Sequence, residues 1–108
     1  MSAYSVKLTA SATSDLMVIS DFYLSALDDK LADKMIEMIE QGLAKLAVSP
    51  ERNPVVPELS SISAKRYQQY LCKPFRLIYR IDGQTVYVIT ILHQQQSIEK
   101  ALQNRNLQ

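Results

Sequence analysis

The side chains best suited to chemistry, or to binding an anion, lie between residues 66 and 93. Arg66, Arg76 and Arg80 occur in this segment together with Tyr87 and the only histidine of the chain, His93. A guanidinium group binds phosphate or carboxylate groups in a planar geometry, and a histidine can exchange a proton near neutral pH. These residues are therefore candidates for contact with an anionic partner.

The sequence offers neither a metal site nor an internal disulfide. Cys72 is the only cysteine, and no group of cysteine and histidine has the spacing of metal ligands. Residues 1–12 lack the pattern of a signal peptide, and no stretch approaches the roughly 18 apolar residues of a membrane span. We expect a soluble, cytoplasmic protein with no cofactor, no metal and no membrane contact.

The charge of the chain is unevenly distributed. With 108 residues, of which 47% are hydrophobic and 21% charged, we expect one globular domain over residues 1–108. The net charge is +1, but residues 1–61 carry five Lys/Arg against nine Asp/Glu, and residues 62–108 carry seven against two. A basic second half indicates a surface for nucleic acid or for an acidic protein, although scattered solvated charge would give the same count.

Hydrophobic periodicity predicts an α+β fold in the order strand, two helices, three strands. The two helices should form an antiparallel hairpin that packs on the sheet. For the first helix, Thr13 or Ser14 is the predicted N-cap and Asp15 lies in the first turn. The second begins at Asp28 or Asp29 and ends at Pro50, and a short terminal helix could cover residues 97–102. The predicted strands are Tyr4–Thr9, Arg66–Leu71, Phe75–Ile81 and Thr85–Leu92.

The dipeptide Asp82-Gly83 predicts a type I′ hairpin between the last two strands. If Ile81 faces Gln84, one sheet face is almost wholly apolar and should pack on the helices. The other face then carries the remaining alternate residues of both strands: Arg76, Ile78, Arg80, Thr85, Tyr87, Ile89, Ile91 and His93. An apolar centre rimmed by cations indicates that this face is covered, either by C-terminal residues of the chain or by a partner protein.

The segment from Tyr67 to His93, YQQYLCKPFRLIYRIDGQTVYVITILH, resembles the end of toxins of the RelE/ParE superfamily. In that family a strand of the type Tyr/Phe-Arg-x-x-Tyr-Arg precedes a tight turn and an apolar strand ending in Leu-His. The stretch PERNPVVPEL at residues 50–59 also resembles the family's loop between helices and sheet. The resemblance implies a small α+β fold in which a three-stranded antiparallel sheet, joined by the N-terminal strand, packs on the helix hairpin.

The resemblance implies the toxin of a bacterial type II toxin–antitoxin module, which inhibits growth, forms a hetero-oligomer with a cognate antitoxin and can serve plasmid stabilisation. ParE-like members bind DNA gyrase and trap its DNA-cleavage complex, whereas RelE-like members cut mRNA in the ribosome. Under the RelE-like alternative, Arg76 and His93 are the catalytic candidates. Otherwise the residues expected to contact the target or the antitoxin are Arg66, Arg76, Arg80, Tyr87, Ile89, Ile91 and His93. A non-toxic orphan binding module is a third possibility.

One departure from the family pattern favours the gyrase-directed function. RelE-like nucleases place further basic residues and an aromatic residue after the last strand, but here the stretch is Gln94-Gln-Gln-Ser-Ile-Glu99. Cleavage of RNA without a metal needs several preorganised charges, and this stretch supplies none. We therefore expect a binding protein rather than an enzyme, with ribosome and mRNA as the alternative partners.

Overall fold

The computed structural model describes residues 3–26, 29–59, 66–94 and 96. Strand β1 (Ser5–Leu8) is followed by helices α1 (Ala10–Ala26) and α2 (Asp29–Leu46), and two short 3-10 turns lie at Pro50–Arg52 and Pro57–Leu59. Strands β2 (Gln68–Cys72), β3 (Phe75–Asp82) and β4 (Thr85–His93) complete the chain of elements. The predicted helix over residues 97–102 lies outside the described residues. Among the described residues, no helix is long and apolar enough to cross a membrane.

The four strands form one mixed sheet in the order β1-β4-β3-β2. Strand β1 runs parallel to β4, whereas β2–β3 and β3–β4 are antiparallel. A parallel pair of strands needs a long crossover connection. The chain supplies it between β1 and β4 with the two helices, followed by the rest of the sheet. The predicted α+β class, order of elements and helix hairpin are confirmed.

Helix α1 begins earlier than predicted, at Ala10. The Thr9 hydroxyl accepts a hydrogen bond from the Ala12 backbone N–H at 3.3 Å, so Thr9 is the residue that caps the first turn. The predicted caps at Thr13 and Ser14 are therefore wrong. The helix begins directly after β1, where Thr9 already accepts the hydrogen bond of the Ala12 N–H. Asp15 consequently lies in the second turn, beyond the position where the helix dipole acts most strongly.

The main core lies between the helices and one face of the sheet. Helix α2 contributes Ile39 and Leu46, α1 contributes Ala12, and all three are fully buried. The strands contribute a set of buried side chains that point to the same side: Phe75, Leu77, Tyr79, Val86, Val88 and Ile91. Gly42 of α2 allows the helix to approach the sheet, since a Cβ at this position would lie 3.1 Å from Leu77 Cδ1. This layer fixes which face of the sheet is inside.

The opposite face of the sheet is partly covered by the chain itself. A second buried cluster joins the strand residues Ile78, Ile89 and Leu92 to three residues that lie outside the strands, Val56, Leu59 and Tyr67. Residues 55–59, which we name the covering loop, run beside the start of β2: the Val56 N–H donates to the carbonyl of Tyr67, just before β2, and the Gln69 N–H of β2 donates to the carbonyl of Pro54, just before the loop. The apolar centre that was expected to be covered by C-terminal residues or a partner is therefore covered, at Ile78 and Ile89, by the covering loop; residues 97–108 lie outside the described residues.

The hairpin between β3 and β4 differs from the predicted one. Asp82 pairs with Thr85, so the two-residue turn is Gly83-Gln84. Gly83 has φ +62°, and no other described residue has a positive φ. Glycine in the left-handed region at the first turn position is the pattern of a type II′ turn. The predicted type I′ turn at Asp82-Gly83 is therefore wrong, although this shift of the pairing by two keeps the predicted faces near the turn.

A β-bulge further along β4 reverses those faces. Tyr79 pairs with Val88 but Ile78 pairs with Thr90, so that Ile89 is an extra residue without a partner in β3. An extra residue in one strand changes the alternation of every side chain beyond it. Ile91 and His93 therefore lie opposite Leu77 and Phe75 on the helix side, and Leu92 lies on the outer face. The predicted placement of Ile91, Leu92 and His93 is wrong for this reason.

Candidate functional site

Arg76 lies on the outer face of β3, and its charge is neutralised inside the chain. Its guanidinium group contacts the Glu58 carboxylate, with Nη1 3.3 Å from Oε2, and it donates from Nε to Gln69 Oε1 at 2.9 Å. A further hydrogen bond joins Nη2 to the same Gln69 oxygen. The Arg76 side chain is only 12% exposed. Arg76 therefore fixes the covering loop to the sheet, and little of its guanidinium surface is open to a ligand.

Glu58 responds to this contact. Partial burial raises the pKa of the Glu58 carboxyl, but the hydrogen bond from Arg76, a backbone hydrogen bond and the Arg76 charge together lower it, and the net result is a pKa below the ordinary value of 4.5. The ionised form of Glu58 is thus favoured in the folded protein. No pattern in the sequence points to Glu58 or Gln69, because only the folded covering loop and β2 bring them to Arg76.

Arg80 lies four residues further along β3 on the same outer face, beyond the covering loop. Its guanidinium carbon is 4.6 Å from the centre of the Tyr87 ring, a cation–π arrangement. Nη1 lies 3.8 Å from the exposed Asp82 carboxylate, and Nε is buried with no hydrogen-bond acceptor among the described residues. Lys7 of β1 is exposed and pairs with Tyr87 from the other side. The structure thus places Lys7, Tyr87 and Arg80 in one row across three strands.

His93 lies on the other side of the sheet, at the end of β4. Its ring packs edge-to-face on Phe75, with the centroids 6.2 Å apart. Together with Val18 and Phe22 of α1, these rings line a surface groove. His93 and Arg76 are close along the sheet, because Leu92 is the pairing partner of Arg76. Their side chains nevertheless project from opposite faces, so they do not form one site.

The remaining candidates are dispersed. Arg66 is exposed and lines a shallow cavity with Glu51, Gln68 and Ile81, on the helix side of β2. Ile89 is buried beneath the covering loop and Ile91 in the main core. That any of these residues contacts a partner stays a prediction. Lys7 is a further residue that the sequence-based prediction did not include, although its outward position follows from the alternation of β1.

The described residues hold no arrangement typical of metal-dependent or thiol chemistry. No group of three or more histidine, cysteine, aspartate or glutamate side chains within residues 3–26, 29–59, 66–94 and 96 could hold a metal ion. Burial raises the pKa of the Cys72 thiol, and a backbone hydrogen bond offsets this only in part. Since the thiolate is the reactive form, Cys72 is poorly suited to act as a nucleophile.

Comparisons with known proteins identify relatives of this fold. The family described as the ParE toxin of the type II toxin–antitoxin system parDE matches residues 6–98. A solved structure of the chromosomal ParDE toxin–antitoxin system from P. aeruginosa is similar in fold, with a TM-score of 0.67 and 23% identity over 83% of this chain and 95% of that one. The RelBE2 toxin–antitoxin complex from Mycobacterium tuberculosis gives a TM-score of 0.53 and 25% identity over 86% and 93% of the chains. Curated protein sequences give no significant match.

Proposed function

Because the chain belongs to the family of ParE toxins of type II toxin–antitoxin systems, we propose that it inhibits growth by poisoning DNA gyrase. In this proposal the protein acts in the cytoplasm, binds gyrase and traps its DNA-cleavage complex without chemistry of its own. A cognate antitoxin neutralises it by forming a hetero-oligomer. The two similar solved structures are themselves a toxin–antitoxin system and a toxin–antitoxin complex, which supports this part of the proposal.

The observation that carries the choice of a binder over a nuclease is the separation of Arg76 from His93. A metal-free nuclease needs its proton-transfer group and its charge-stabilising group on the same phosphate. Here the Arg76 guanidinium is bound by Glu58 and Gln69 on one face, and the His93 ring packs on Phe75 on the other. A gyrase-binding protein has no such requirement, because it spreads its binding energy over a contact surface.

The decisive experiment measures gyrase activity with the purified toxin. We expect inhibition of supercoiling and accumulation of cleaved DNA when gyrase, DNA and the toxin are present together. In cells, expression without antitoxin should cause filamentation and DNA-damage signalling while bulk translation continues. Rapid loss of translation, with mRNA cut in the ribosome, would instead establish the RelE-like alternative. If the folded protein affects neither gyrase nor translation nor growth, the remaining hypothesis is the non-toxic orphan binding module.

A histidine variant separates the two mechanisms at residue level. Loss of a general acid or base costs about a hundredfold or more in rate, whereas loss of one peripheral contact residue costs under about 2 kcal/mol of binding. We therefore expect His93→Ala to remain toxic when strongly expressed. Gln94→Ala, at the exposed next position, is the matched control. If His93→Ala abolished toxicity while its melting temperature and antitoxin affinity stayed unchanged, the binding mechanism would be refuted.

A further inference from the structure

The outer face of the sheet is divided into a covered half and an open half. In the covered half, the covering loop places Val56 and Leu59 on the apolar strand residues and the Glu58 carboxylate on Arg76. The open half begins at the next row of paired residues, where Lys7, Tyr87 and Arg80 lie side by side on β1, β4 and β3. Both halves belong to the same face. The contacts of the covering loop therefore indicate which groups bind there, namely a carboxylate and apolar side chains.

In the open row, the carboxylate contact of Arg80 is longer and more exposed than that of Arg76 in the covered half. Arg76 has a carboxylate oxygen at 3.3 Å from Nη1, whereas among the described residues the carboxylate oxygen nearest to Arg80 is that of Asp82 at 3.8 Å. The Asp82 side chain is 71% exposed, and an exposed pair of this kind contributes little to stability. Lys7 and Arg80 flank Tyr87 on neighbouring strands, so that their Cβ atoms are separated by two strand spacings, about 10 Å.

We propose that Lys7, Tyr87 and Arg80 form a docking surface for an acidic peptide segment of a partner protein. The segment places a carboxylate between the two cations and an apolar side chain on the Tyr87 ring, which repeats the combination of Glu58, Val56 and Leu59 in the covered half. A planar guanidinium group favours a carboxylate through paired hydrogen bonds. Arg80 is preorganised for this contact, because stacking on Tyr87 fixes the plane of its guanidinium group.

The charge of the surface favours a protein over a nucleic acid. Nucleic-acid binding draws its affinity from several phosphate contacts, but the row offers two cations beside the Asp82 carboxylate, on a chain of net charge +1. A peptide needs one well-placed carboxylate, and its apolar residues can pack on Tyr87. This assignment concerns the face itself and holds whether the toxin acts on gyrase or on the ribosome.

The test uses the full chain and three labelled probes at low salt. The first is a twelve-residue peptide with four glutamates among alanine, valine and leucine, the second is its glutamine analogue, and the third is a twelve-nucleotide oligothymidylate. Fluorescence anisotropy measures affinity, and backbone amide shifts in NMR locate the contact. We expect the glutamate peptide to bind at least about tenfold more tightly than the other two probes, as charge-assisted hydrogen bonds allow, and to shift the amides of Lys7, Arg80 and Tyr87.

Two variants and one control keep the result interpretable. Arg80→Gln should lower the affinity for the glutamate peptide about tenfold. Lys7→Glu should lower this affinity at least as much, and since Lys7 is exposed the change is not expected to affect folding. Lys34→Gln removes an exposed lysine on α2 and should leave the affinity unchanged. The proposal is overturned if Lys7→Glu binds like the wild type, if Lys34→Gln loses affinity equally, if oligothymidylate is the preferred ligand, or if no probe binds.

Discussion

Removal of the Asp15 carboxylate should destabilise the fold more than any other single change on an α1 surface position. Asp15 Oδ2 accepts hydrogen bonds from the Thr90 hydroxyl at 2.7 Å and from the Ile91 backbone N–H at 3.1 Å. Thr90 and Ile91 are buried and adjoin the extra residue of the β4 bulge. In Asp15→Ala both donors lose this acceptor, and a buried donor that loses its partner costs about 1–3 kcal/mol.

With a cost near the lower end of this range for each of the two donors, and about 0.5 kcal/mol returned by the higher helix propensity of alanine, we expect a net loss of roughly 2 kcal/mol in the free energy of unfolding. For a domain of this size, the corresponding fall in melting temperature is about 8–16 °C. Thermal and urea unfolding, followed by circular dichroism, measure both quantities.

The matched control is Asp21→Ala, since Asp21 is exposed on the same helix. It gains the same propensity and should change stability by no more than about 0.5 kcal/mol. Asp15→Asn keeps one acceptor oxygen without the charge and should fall between the two variants. Equal melting temperatures for Asp15→Ala and Asp21→Ala would show that the carboxylate does not anchor the bulge, and the reasoning would then be wrong.

Three further changes test other parts of the fold. Because the pKa of Glu58 is depressed in the folded protein, its ion pair with Arg76 stabilises the protein fully above pH 4.5 and less as the pH falls through the folded-state pKa. In Arg76→Gln, the part of the loss of stability at low pH that is due to Glu58 should disappear, which urea unfolding between pH 3 and 6 measures. Leu77→Ala should cost about 2–5 kcal/mol because Leu77 is fully buried, against under about 0.5 kcal/mol for the exposed Val48→Ala. Gly83→Ala should cost about 1–2 kcal/mol, because its φ of +62° is strained for a residue with a Cβ although the space is open; unchanged melting would refute the assignment of the turn.

The sequence was sufficient to predict the elements because their signals are local. Apolar alternation in β3 and β4 and the helical spacing of apolar residues in α2 each lie within one segment, so the class and the order of elements could be derived without tertiary contacts. The resemblance of residues 67–93 then indicated the superfamily, which the family match confirms.

The register could not be derived in the same way. Both Asp82-Gly83 and Gly83-Gln84 are possible two-residue turns, and they differ in whether glycine occupies the second or the first turn position. The bulge at Ile89 has no local signal either, since the run from Val86 to Leu92 is almost uniformly apolar. What stabilises the bulge is a contact across 75 residues, between Asp15 and Thr90, and no pattern within either segment reveals it.

The bulge also decides how the basic residues can be used. Without the extra residue in β4, alternation would carry the side chain of His93 to the face of Arg76, where a histidine and an arginine on adjacent strands could act on one phosphate. With it, His93 turns to Phe75 and the helices, and its place on the outer face is left to Leu92 beneath the covering loop. Among the described residues, the cations that remain accessible on that face are Lys7 and the outer side of Arg80. His93, the only histidine of the chain, lies on the other face, so the open part of this face offers positive charge and hydrogen-bond donors to an anionic partner without a histidine to act as acid or base.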